Sequence, residues 1–178
     1  SVIHPKLYFL KGYRGESIIN SLKPLVDELN INQDQLGLAV EKAASVQKKF
    51  EKFLDEIGKQ ALEYASKNNL PAVVVCGTQH VIHDKAANSK IPDMIRQNGA
   101  MAIPMDCFPI KDATPDMDKI YWGDSNRYLR AAATAREMNT VFPLMLSSFG
   151  CGPASFTEQI FQSLLKGYPH TILESDGH

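Results

Sequence analysis

The chain has 178 residues, 44% apolar and 22% charged, with a net charge of -1. That is the composition of an ordinary globular protein with one well-buried domain; disorder does not fit it, and it lacks the basic footprint of a nucleic-acid binder. No apolar run nears the roughly 20 residues of a membrane span, no signal-peptide pattern opens the chain, and three widely spaced cysteines make no secreted disulfide framework, so a cytoplasmic protein with no nucleic-acid or membrane partner is expected.

The first predicted element is a strand over 6–10, Lys-Leu-Tyr-Phe-Leu. A helical segment over 16–29 follows, broken in its middle by Pro24, which cannot supply a helix N–H. Asn32 and Gln35 then form an Asn-x-x-Gln helix start, and no proline intervenes before Pro71, which predicts one long helix over 33–68. Along it Ala39, Ala43, Val46, Phe50, Phe53, Ile57, Ala61 and Tyr64 recur at spacings of four and three. Such a helix is about 50 Å long, more than one small sheet can cover. Two readings stand: a coiled-coil or dimer helix, or a helix packed along its own domain and against a neighbouring one. Alanine at several seam positions favours the second. Gly58, inside the helix, is expected to mark a bend.

From residue 71 strands and helices alternate. Ala72–Cys76 is a continuous β-branched run, the mark of a strand buried on both faces. Further strands are predicted at 100–105, 142–147 and 170–175, with helices at 90–98, 123–139 and 154–167. The pattern predicts an α/β fold: a Rossmann-like, doubly wound, mainly parallel sheet of about four to five strands with a long N-terminal helix. The organisation read from it is a strand and helices over 1–70 and a Rossmann-like α/β domain over 71–178, together one compact unit. The chain stops at Ile-Leu-Glu-Ser-Asp-Gly-His without a polar tail, which suggests a piece of a longer protein.

Gly150-Cys151-Gly152-Pro153 joins a predicted strand to a predicted helix. Proline suits the first helical position and Gly152 can act as N-cap, while Ser155 and Glu158 offer a competing capping box. A thiol at a helix N-terminus and strand tip sits where the thiolate form is favoured, at the edge where open α/β sheets bind ligands. Three readings remain open. Gly150-x-Gly152-x-x-Ser155, with Glu174 ending the next strand, approximates a dinucleotide fingerprint. A cysteine in a glycine-rich turn also suits iron–sulfur ligation. The third is a tight turn with an incidental cysteine. Gly77 is a strand-end turn residue in the same class of position. Cys107 is a weaker metal candidate at another strand end, and Cys76 reads as a core cysteine.

His80, His83 and Asp84 are close enough to suggest a metal site, although a loop lacks the fixed geometry of a helical zinc motif. Arg127, Arg130 and Arg136, following the single tryptophan Trp122, could hold a phosphate-bearing ligand such as a CoA tail or bridge to acids nearby.

Read in order, "HPKLYF", "EKAASVQKKFEKFLDEIG", "VVVCG" with "IPDMI" after it, "GAMAIPMD", "YWGDSNRYLRAA", "SSFGCGPASF" and "LESDGH" resemble the C-terminal region of large activase-related proteins of 2-hydroxyacyl-CoA dehydratases and the dehydratase-like cysteine domains fused to them. The resemblance implies an oxygen-sensitive iron–sulfur cluster with Cys151 as one ligand, and ATP-driven low-potential electron transfer to a dehydration or reduction. It implies as partners an ATPase activator domain of the same protein or operon and an acyl-CoA substrate, while the dimer reading of the long helix adds a homodimer. Thr78-Gln79-His80 departs from the Arg-Pro-Tyr such a loop would carry. No P-loop is present, so the ATP motor and the remaining cluster ligands would lie elsewhere.

Overall fold

The computed structural model describes residues 4–9, 13–111, 114, 117–148 and 150–175. They form two compact units, residues 1–53 and 54–178.

The first unit is helical. Helix α1 (Glu16–Leu22) ends at Lys23, and α2 (Pro24–Glu28) begins on the proline, so Pro24 divides the predicted 16–29 segment by serving as a helix start. Helix α3 (Gln33–Lys67) opens on a reciprocal capping box: Asn32 N–H donates to Gln35 Oε1 and Gln35 N–H to Asn32 Oδ1, both at 2.8 Å. Leu36 and Val40 pack with Ile18 in a small core bordered by Ile19, Leu22, Val26 and Ile31. The predicted strand over 6–10 is not seen. Residues 6–9 have no regular structure and Leu10 lies outside the described residues. Leu7, Tyr8 and Phe9 remain about half exposed, and an apolar run without a pairing partner or a buried face has nothing to hold it as a strand.

The second unit is an α/β layer built on a four-stranded sheet, β1 (Ala72–Cys76), β2 (Met101–Pro104), β3 (Val141–Ser148) and β4 (Thr171–Ser175). The strand order is β2-β1-β3-β4 and every pairing is parallel. Between the strands lie α4 (Gln79–His83), α5 (Ile91–Gln97), α6 (Gly123–Met138) and α7 (Gly152–Leu164). The β1-to-β2 crossover runs in the opposite direction along the sheet from the two later ones. Right-handed connections therefore put α5 on one face and α6 and α7 on the other. Val74, Val75, Ile103, Met145 and Leu146 are buried between those layers with Tyr128, Leu129 and Phe161. Pro143 sits one residue ahead of the first β3–β4 pair, Leu144 with Thr171, so its missing N–H costs that ladder nothing.

Gly58 lets α3 approach its neighbour closely. A Cβ built there would lie 1.7 Å from the Cys107 carbonyl oxygen, so the last turns of α3 rest on the backbone after β2. Helix α4 occupies the segment read as a loop from sequence.

Candidate functional site

The strand order reverses its sense between β1 and β3, which makes their carboxyl ends the switch point of the sheet. Cys76 pairs with Met145, and β3 continues through Leu146, Ser147 and Ser148. Gly77 turns the chain away against that extension. A Cβ at Gly77 would lie 2.5 Å from the Leu146 carbonyl oxygen, so no larger residue fits.

At the end of β3 the turn closes when Cys151 N–H donates to Ser148 O at 3.0 Å, with Gly150 at a φ of +70°. Cys151, not Gly152, is the N-cap of α7; Gly152 is the first helical residue and Pro153 follows. The cap has extended backbone and no side-chain hydrogen bond. Ser155 does not build a capping box with Glu158: its N–H and its hydroxyl both donate to Cys151 O, each at 2.9 Å. Pro153 has no N–H, so the first turn presents the N–H groups of Gly152 and Ala154, without a side-chain cap, at the positive end of the helix. A Cβ at Gly152 would meet nothing within 4 Å, so the approach to this turn is open.

An aromatic group borders the same turn. Trp122, the N-cap of α6, lies edge-on to Phe156 of α7 with ring centroids 5.9 Å apart, and Tyr121 stands 6.2 Å from Trp122. All three rings are exposed to solvent, Tyr121 at 92%. Beneath them buried Tyr128 hydrogen-bonds with Thr157, which donates to Pro153 O at 2.8 Å and locks α6 to the start of α7. Burial pushes the Tyr128 phenol above its ordinary range, so it stays protonated as a structural clamp.

The three thiols have separate surroundings. Cys76 is fully buried, directs its sulfur to Tyr128 O at 3.8 Å, and is pushed far above the ordinary thiol range by desolvation. Cys107 is half-buried. Burial raises its pKa, the neighbouring Asp106 carboxylate raises it further, and the Arg127 guanidinium opposes both. Cys151 is half-buried at the turn itself. Among the described residues no group of three His, Cys, Asp or Glu side chains comes together to hold a metal ion. An iron–sulfur cluster held by this chain alone therefore does not fit the described residues.

The histidine segment has another use. His83 Nε2 meets Asp106 Oδ2 at 3.0 Å, and Asp84 Oδ1 accepts the N–H groups of Ala86 and Ala87 at 2.8 and 3.0 Å. His80 turns back to Thr78 Oγ1 at 3.5 Å. The Asp84 and His80 contacts shape local turns and His83 ties its segment to Asp106; among the described residues they form no coordination sphere. The arginines are also engaged with backbone: Arg127 donates to Asp106 O at 2.8 Å, Arg130 to Thr114 O at 3.2 Å, and Arg136 to Leu164 O. A cleft of about 440 Å³ opens by β1, β2 and α5, lined by Ile82, His83, Lys85, Asp93 and Arg96 among others. Its charges already meet one another, Asp93 pairing with both Lys85 and Arg96.

The glycine turn is legible in the sequence and the aromatic border is not, because Trp122 and Phe156 are brought together by the packing of α6 on α7. No described helix is long and apolar enough to cross a membrane. No curated protein and no solved structure matches the chain. A family model, the CoA enzyme activase uncharacterised domain (DUF2229), matches residues 2–108, a span that holds α1 to α5, β1, β2, Gly77 and Cys107 and stops short of the Cys151 turn. The chain belongs to this CoA-enzyme-activase-associated family.

Proposed function

We infer that this chain is the ligand-binding α/β module of a CoA-enzyme-activase protein, and that it takes the adenine-and-phosphate portion of a nucleotide or acyl-CoA without a metal of its own. The observation that carries the reading is the exposed Trp122–Phe156 pair standing beside the first turn of α7. An adenine ring can stack on those aromatic faces while a phosphate oxygen accepts from the N–H groups of Gly152 and Ala154. Gly150 leaves the turn open, since a Cβ there would meet nothing within 4 Å, and Gly77 lets the chain pass close to the β3 backbone. Cys151 caps the helix, and Ser155 holds the Cys151 carbonyl so that the turn keeps its shape. The module works in the cytoplasm beside an ATPase activator domain of the same protein or operon, which supplies the ATP hydrolysis this chain has no P-loop to perform.

Trp122 is the only tryptophan, so its fluorescence reports directly on ligand at this edge. Titration with acyl-CoA, ATP and NAD(H) should quench it with submillimolar affinity for at least one of them. Trp122→Ala, followed by calorimetry, should weaken that binding about fivefold to a hundredfold, the worth of one aromatic–base stack. Gly152→Val should abolish it while leaving the fold intact, because the added side chain enters open space. Absence of binding to all three ligands, or binding unchanged in Gly152→Val, overturns the reading.

The half-buried sulfur of Cys151 at the sheet edge supports a second, narrower reading: one thiolate donated to an iron–sulfur cluster whose other ligands come from another chain or region. It would place the module in low-potential electron transfer to a dehydration or reduction. Anaerobic reconstitution of the whole assembly decides it. Less iron and sulfide in Cys151→Ala than in wild type supports the reading, and equal content removes it.

A further inference from the structure

Helix α3 carries a second, independent signal. Ala39, Ala43, Val46, Phe50, Phe53, Ile57, Gln60 and Tyr64 fall on consecutive core positions of a heptad repeat, and all are exposed. The helix buries a different stripe, Leu36, Val40 and Ala44 early and Gly58 and Ala65 late, so the heptad seam is not what holds it in place. Val46, Phe50, Phe53 and Tyr64 are each more than half exposed, an unusual concentration of large apolar groups on one solvent-facing line.

We propose that this seam is an interface with a second copy of the same chain, with the two α3 helices antiparallel. The seam is complementary to its own reverse. Turned about a two-fold axis between Phe50 and Phe53, it places Phe50 opposite Phe53, Val46 opposite Ile57, Ala43 opposite Gln60, and small Ala39 opposite bulky Tyr64. Large meets small at the ends, and four phenylalanine rings meet at the centre. The charges repeat the message. The edge beside the seam carries, at successive heptads, Lys42, Lys49, Glu56 and Glu63, all exposed. In an antiparallel pair this edge faces its own copy, bringing Lys49 against Glu56 and Lys42 against Glu63 on both sides of the axis. A parallel pair would place it against Gln47, Leu54 and Ala61, none of them charged. Glu63 already contacts Lys67 of its own helix at 2.6 Å, an exposed pair that can share a further cation. The three half-exposed rings offer on the order of 300 Å² per chain when an open aromatic ring contributes roughly 150–250 Å². With Val46, Ile57 and the lysine stems, two copies reach the about 1,000 Å² that a specific interface needs.

Sedimentation of the full chain tests this, with far-UV circular dichroism and Trp122 fluorescence as folding controls. Wild type should dimerise with a dissociation constant on the order of 10 μM, and Phe50→Asp with Phe53→Asp should be monomeric. The double variant Lys42→Glu, Lys49→Glu has an all-acidic edge, and Glu56→Lys, Glu63→Lys an all-basic one. Each alone should self-associate at least tenfold more weakly than wild type, and an equimolar mixture should restore dimers. A monomeric wild type, a seam that binds only a different protein, or dimers indifferent to the charge changes overturns the proposal. None of these outcomes depends on whether the carboxyl edge of the sheet binds a nucleotide.

Discussion

Replacing Gly58 by alanine tests how closely α3 lies on the backbone after β2. An added Cβ would sit 1.7 Å from Cys107 O and 2.7 Å from Cys107 C, where ordinary contact begins at 3.4 Å. The obstacle is main chain, so no side-chain rotation relieves it; helix and loop must part by well over an ångström. Overpacking of this kind costs about 1–3 kcal/mol, and the upper end applies when backbone must move. Alanine returns about 1 kcal/mol in helix propensity. The net loss is about 2 kcal/mol, which lowers a urea midpoint by on the order of 1 M. Trp122 lies in the same unit as Gly58, so its fluorescence follows the relevant unfolding. Gly37→Ala in the same helix is the control: its Cβ meets nothing within 4 Å, and a gain of about 0.5–1 kcal/mol should appear in a circular-dichroism melt. A Gly58→Ala protein as stable as wild type would refute the close approach.

Cys76 retains its proton in the folded state far above the pH at which it loses it when unfolded. Above the unfolded value of about 8.5 the unfolded chain binds fewer protons than the folded one, so stability should fall by about 1.4 kcal/mol per pH unit; urea midpoints from pH 8 to 10 should decline less steeply in Cys76→Ala. Asn32→Ala removes the side-chain half of the capping box and should cost about 1 kcal/mol, read as a lower melting temperature by circular dichroism, with Asn32→Ser retaining most of the stability.

The parts of the fold legible in the sequence are those fixed by neighbouring residues. The Asn32–Gln35 box is written within four residues, and the run Ala72–Cys76 declares a doubly buried strand by composition alone. What escaped depends on distant partners. Residues 6–9 have the composition of a strand but no ladder to join. Helix α4, only five residues long, gives no periodic signal, and Asp106, the partner of His83, lies 23 positions on. Gly58 carries no local signal of its role, because the carbonyl it accommodates belongs to Cys107, far along the chain.

The thiols show why strand ends that share an edge need not share a site. Cys76 ends β1 and Cys107 follows β2, while Cys151 follows β3, so topology brings all three chain segments to the carboxyl edge of one sheet. Within a strand successive side chains take opposite faces, and each connection then leaves in its own direction. Cys76 consequently turns into the layer between the sheet and α6, where its sulfur meets the Tyr128 carbonyl. Cys107 lies in the turn over which Gly58 passes, and its neighbours are Asp106 and Arg127. Only Cys151 stays with the glycine turn, next to exposed aromatic rings and two backbone N–H groups. Donors of that kind complement an anion and a flat ring. A cluster requires several thiolates around one point, and burial has already committed one of the three sulfurs elsewhere.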